Sequence, residues 1–137
     1  MKIDFFVFDT NTLISSALIK NSTNSKAIDI AIALGTIAVL RSTLEEFTEV
    51  LFRKKFDRYF SGDEERWSIL HKLEANSKLF TPDLIITDCR DPKDNKFLEL
   101  AIAANASCII TGDKDLLALH PFRNVPILNA VDFIDSF

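Results

Sequence analysis

Five short runs that are largely apolar, rather than alternating with polar residues, constrain this chain more than any other feature. They fall at residues 3–8, 36–40, 84–87, 107–111 and 125–128. A strand with one wet face alternates, whereas a strand buried on both faces reads as a continuous apolar run. Segments of helical character separate the runs, at residues 13–19, 25–34, 42 to about 55, 65–77, 91–104, 113–119 and 130–134. Strand and helix in alternation predict a mostly parallel, five-stranded sheet covered by helices on both faces, a three-layer α/β/α arrangement. Local punctuation agrees. Gly35 stops the second helix, Ser42 with Glu45 three residues on reads as a capping box, and Pro92 suits a first helical turn.

Length and composition narrow the class. A chain of 137 residues, 47% hydrophobic and 26% charged, fits one domain over 1–137 with a core to which twelve Phe give much of the bulk. No apolar run approaches the ~20 residues of a membrane span. The longest, residues 27–40, is interrupted by Asp29, Gly35 and Thr36. The first strand is too short and too acidic for a signal peptide, so a cytoplasmic protein without membrane contact is expected. Cys89 and Cys108 show no CxxC spacing; reduced, partly buried thiols are expected, and sequence leaves a bridge between them open. His71 and His120 are not at helical ligand spacing, which argues against a Cys/His zinc site. With 16 basic and 20 acidic residues the net charge is −4. That argues against gripping nucleic acid by charge alone, but not against an enzyme whose acids are neutralised by metal.

Four acids stand where such a sheet binds ligands. In a parallel sheet, strands end and the following helices begin along one edge. Asp9 follows the first expected strand and Asp113 the fourth. Glu46 lies in the first turn after the second, and Asp94 in the first turn after the third. Each acid has a plain alternative role, because acids at strand ends and helix starts cap amides and complement the helix dipole. Two are poorly explained that way. Glu45 already serves the capping box beside Glu46, which sits at the margin of the stripe Leu44, Phe47, Leu51. Asp91 is the natural cap near Asp94, and Asp94 shares a face with Phe97, Leu98 and Ala101. Clustered carboxylates are hard oxygen ligands suited to Mg²⁺ or Mn²⁺, and such ions activate water and clamp a phosphate. Thr10, Asn11 and Thr111 are placed to hydrogen-bond ligands or waters. Of Asp113 and Asp115, which flank Lys114, one is expected to be a cap.

These residues resemble a known family. Phe6-Val7-Phe8-Asp9-Thr10-Asn11, followed by Glu46 within Ser42-Thr43-Leu44-Glu45-Glu46-Phe47, looks like the start of a PIN domain. Asp91-Pro92-Lys93-Asp94-Asn95-Lys96-Phe97-Leu98 is similar to its third acidic motif, and Thr111-Gly112-Asp113-Lys114-Asp115-Leu116-Leu117 to its fourth. The match runs in order over nearly the whole chain. It implies strand order 3-2-1-4-5 and a Mg²⁺- or Mn²⁺-dependent ribonuclease. Asp9, Glu46, Asp94 and Asp113 would be catalytic metal ligands, with Asp115 an auxiliary one. The resemblance is to PIN toxins of toxin–antitoxin systems, which implies an RNA substrate, an antitoxin partner and a homodimer.

Other readings remain open at this level. Arg53, Lys54, Lys55 and Arg58 could steer an RNA backbone, or could be a solvated helix end favouring positive charge. Trp67 and Tyr59 could stack a base or pack at an interface. A haloacid-dehalogenase-like phosphatase is the enzymatic rival, since Phe8-Asp9-Thr10-Asn11-Thr12 resembles its DxDxT motif. Asn11, however, stands where its general acid belongs, and Glu46 and Asp94 would have no role. A phospho-receiver domain is excluded, because this chain lacks the paired N-terminal acids of such a domain and has no Asp after a third strand at the expected mid-chain position. A catalytically inert PIN-like interaction module is the non-enzymatic alternative.

Overall fold

The computed structural model describes residues 3–137; Met1 and Lys2, which the expected domain includes, lie outside the described residues. Strands β1 (Phe5–Phe8), β2 (Thr36–Val39), β3 (Ser77–Leu79), β4 (Cys108–Ile110) and β5 (Ile127–Leu128) form one sheet in the order β3-β2-β1-β4-β5. Every pairing is parallel. The helices are α1 (Thr10–Leu18), α2 (Thr23–Leu34), α3 (Arg41–Leu51), α4 (Asp63–Ala75), α5 (Asn95–Ala104), α6 (Lys114–Leu117) and α7 (Ala130–Ser136). Short 3₁₀ turns cover Lys54–Tyr59 and Pro92–Asp94. Among the described residues no helix is long and apolar enough to cross a membrane.

The non-alternating strands have a direct explanation. Successive side chains of a strand point to opposite faces, and here both faces are cores. Val7, Ala38 and Ile109 enter one core with Phe97, Leu98 and Ala101 of α5. Phe6, Phe8, Ile37, Val39, Cys108 and Ile110 enter the other, against Leu13, Ala27, Phe47, Leu70 and Phe133 from helices on that side. Gly35 is required by a close approach, since a Cβ there would lie 2.1 Å from the Asp4 carbonyl oxygen.

Several boundaries differ from those the sequence suggests. The third strand is at Ser77–Leu79, not 84–87. As an edge strand it needs neither an apolar pattern nor two buried faces, so Ser77-Lys78-Leu79 carries no strand signature. In the apolar run at 84–87, Ile86 is buried but Ile85 is 88% exposed. The Ile86 amide donates to Glu99 Oε2 (3.0 Å) instead of to a ladder. The capping box at Ser42 is also absent. Leu40 occupies the N-cap of α3 with no side-chain bond, so Ser42 lies inside the helix. α3 ends at Leu51 rather than near 55, and the segment at 91–104 splits into a 3₁₀ turn and α5. Both cysteines are free and buried.

Candidate metal-binding and catalytic site

A cavity of about 620 Å³ opens at the carboxyl end of the sheet. Asp9, Glu46, Asp94 and Asp113 all line it, from four separate stretches of chain, together with Thr10 and Asn11. A smaller hollow of about 280 Å³ lies beside it and shares Asp9, Asn11 and Asp113.

Asp9 is the most firmly held. It is 5% exposed and caps α1 through Oδ1, which accepts the Thr12 amide at 3.0 Å. Its Oδ2 accepts the Thr111 hydroxyl at 2.7 Å. The same Thr111 oxygen accepts the Asp113 amide at 2.9 Å. One buried hydroxyl thus ties the end of β1 to the exit of β4. Asp113 caps α6, accepting the amides of Asp115 (2.8 Å) and Leu116 (3.4 Å) on Oδ1. Thr111 itself stands behind the cavity wall. Asp115 lines neither hollow, and its link to the site is that amide.

Asp94 is different. It sits at the N-cap of α5 but makes no capping bond, and its buried Oδ2 has no hydrogen-bond partner. Burial pushes its carboxyl up to about 6, followed by proton sharing with and repulsion from Asp113, then repulsion from Asp91 and Asp9. A half-buried carboxylate with one unpartnered oxygen among like charges is costly, and nothing in the helix requires it. Capping is the work of Asp91, whose Oδ1 accepts the Lys93 amide at 3.1 Å.

Glu46 reaches the cavity from the solvent side. Its side chain is 49% exposed, and Oε2 stands 3.6 Å from Lys96 Nζ. Desolvation therefore does not single out Glu46, contrary to the argument from its helix position; its place on the cavity wall does. Sequence reasoning passed over Lys96, Asn95 and Glu99, which also line the cavity. Asn95 Oδ1 accepts the Cys89 amide at 2.8 Å, and Glu99 holds Ile86. Together they fix the long connection after β3 against α5. Their spacing of four residues on one helix face was the available signal.

The arrangement bears on metal and nucleophile. Among the described residues, no group of three or more His, Cys, Asp or Glu side chains is arranged to hold an ion as it stands. The donor set nonetheless fits a hard divalent cation, being all carboxylate oxygen with one buried oxygen unpartnered and a carboxyl strained by its neighbours. Burial raises the Cys89 thiol, and pushes that of Cys108 up to about 12, so neither is primed as a nucleophile.

The PIN domain family model matches residues 6–115, a span holding all four acids. The chain belongs to the PIN domain family. PIN domains are in general nucleases, hydrolases acting on nucleic acid. This PIN domain is 32% identical over 140 aligned positions to the uncharacterized protein MJ1680 of Methanocaldococcus jannaschii, covering 96% of this chain and 90% of that one. Two solved structures share its fold. One is PAE2754 from Pyrobaculum aerophilum, with TM-score 0.59 and 18% identity over 97% of this chain and 88% of the other. The other is VapBC2 from Rickettsia felis bound to a DNA fragment from its promoter. It has TM-score 0.58 and 15% identity, over 91% of this chain and 98% of the matched one.

Proposed function

We propose that this PIN domain is a Mg²⁺- or Mn²⁺-dependent endoribonuclease and the toxin of a toxin–antitoxin pair. The observation that carries the reading is the meeting of Asp9, Glu46, Asp94 and Asp113 in one cavity, with an unpartnered buried oxygen on Asp94. Asp9, Asp94 and Asp113 would hold the ion, with Glu46 completing the set from the rim. A bound ion would supply Lewis-acid stabilisation of the phosphate and a more acidic water. The protein's own contribution is placement. Thr111 and the Thr12 amide fix Asp9, the amides of α6 fix Asp113, and Asn11 is free at the mouth to hydrogen-bond water or phosphate. Asp115 acts through its amide in orienting Asp113.

The likeness to PIN toxins supports an antitoxin partner, a homodimer and a cytoplasmic setting, and the fold shared with VapBC2 is in keeping with a second chain. The phosphatase reading loses ground, because Glu46 and Asp94 share the cavity with Asp9. Incubation of a mixed RNA pool with Mn²⁺ tests the proposal. Wild type should fragment the pool and Asp9→Asn should not; equal activity in both would sink it. An inert PIN-like module would bind no Mn²⁺, whereas the proposed enzyme binds it and Asp94→Asn abolishes the binding.

A further inference from the structure

The basic residues beyond α3 are not explained by the helix they follow. The helix dipole acts on charges in the last turn, and the last turn of α3 contains none that is basic. The cations instead occupy the 3₁₀ turn Lys54–Tyr59, which buries no residue. Part of that turn is structural. Arg66 of α4 is 3% exposed, and its guanidinium donates to the Leu51 carbonyl (2.8 Å), the Arg53 carbonyl (3.2 Å) and Asp57 (2.8 Å). It also faces the rings of Phe52 and Phe60. Arg66 therefore accounts for Phe52, Asp57 and Phe60.

It does not account for Lys54, Lys55, Phe56, Arg58 and Tyr59. The three cations are exposed, and among the described residues none has a carboxylate within 4.0 Å. Each aromatic ring is half-buried and has a cation beside it: Lys55 Nζ lies 5.0 Å from the Phe56 centroid, and Arg58 Cζ lies 4.9 Å from that of Tyr59, whose hydroxyl accepts from Arg58 Nη2 at 3.0 Å. The two rings are 6.0 Å apart. Exposed cations with no carboxylate partner, interleaved with aromatic rings, are what a single-stranded nucleic acid requires, the cations for phosphates and the rings for bases. The strip follows directly on α3, the helix that carries Glu46. Glu46 stands on the cavity wall, Glu49 is one turn further along α3, and Arg53 binds Glu49 through Nε (3.0 Å) and Nη2 (2.7 Å).

We propose that the turn Lys54–Tyr59, clamped from beneath by Arg66, is a binding strip for single-stranded RNA that leads into the cleft beside Glu46. The proposal rests on the ribonuclease reading above, but binding tests it without cleavage. The probe is a fluorescein-labelled single-stranded RNA dodecamer, titrated by fluorescence anisotropy with the full chain in EDTA. The arms are wild type, a Lys55→Ala/Arg58→Ala double variant, Tyr59→Ala, and Lys72→Ala as a charge control on another surface. Circular dichroism checks that each is folded.

Removing two phosphate contacts should make the slope of log affinity against log salt shallower by about 1.4, at roughly 0.7 per contact for single strands. Tyr59→Ala should weaken binding about tenfold while leaving that slope unchanged. Lys72→Ala should match wild type. Equal affinities across all arms, or no binding by wild type, overturn the strip. Binding of polyglutamate as tight as RNA, with the same losses, overturns it in favour of an acidic protein partner. A DNA dodecamer held tenfold tighter than RNA overturns the assignment to RNA. RNA cleavage by wild type, measured separately with Mn²⁺, reports on the ribonuclease reading alone.

Discussion

At the scale of single residues, Asp94 and Thr111 do opposite work. Asp94 is held in an unfavourable state by burial and by the neighbouring acids. Its carboxyl titrates near 6 in the folded protein, above the usual carboxylate range. Such a group favours the folded state fully at pH values below its unfolded value, and the contribution is lost as pH rises through about 6. In EDTA, Asp94→Asn should thus be more stable than wild type at pH 7, with the difference in Tm shrinking as pH falls to 4. Parallel Tm profiles for the two proteins would contradict this. Thr111 stabilises, because its hydroxyl serves Asp9 and the Asp113 amide at once. Thr111→Val keeps the shape and removes both bonds. Urea denaturation should show a loss of about 1–3 kcal/mol, and Thr111→Ser should restore most of it.

At the scale of elements, the sequence disclosed the strands whose residues reach the cores and hid the one that does not. β1, β2, β4 and β5 were legible because their residues are apolar on both faces. β3 was not, because this edge strand, Ser77-Lys78-Leu79, is mostly exposed and is specified by its neighbour β2 rather than by an apolar run of its own. The apolar run at 84–87 misled because one buried side chain, Ile86, was enough to make a loop look like a strand. The site survived that error. Asp94 is placed by the 3₁₀ turn and α5, and Asn95 and Glu99 draw the preceding loop onto the same helix. Capping logic fared unevenly. Asp9 and Asp113 do cap helices while lining the cavity, so the two roles are not exclusive. The box at Ser42 failed because Leu40, drawn into the core, sets where α3 begins. Arg66 had no signature, since two of its four partners are backbone carbonyls and the carboxylates, Asp57 and Asp63, are themselves exposed. Arg66→Leu should cost about 2–3 kcal/mol in urea denaturation and speed amide exchange between Arg53 and Phe60. Unchanged exchange there would mean the turn is held by something other than the guanidinium.

At the scale of the molecule, the divalent ion and the fold should be linked. A ligand that binds only the native state at a hundred times its Kd stabilises by about 2.7 kcal/mol. Mn²⁺ at that excess should raise Tm by several degrees in wild type, and Asp9→Asn should abolish the shift. A Tm indifferent to Mn²⁺ would count against a native metal site.

The sheet is open at both ends, and how it ends has a consequence for self-association. Its outer strands are only three and two residues long, and the β3 side carries an exposed Lys78. Open edges recruit other chains when they are long, flat and apolar, and these two are short. The molecule is thus insulated against runaway strand addition of the kind that leads to fibres. A second copy that docks on the helix faces would be chosen by side-chain shape and charge, not by backbone hydrogen bonding.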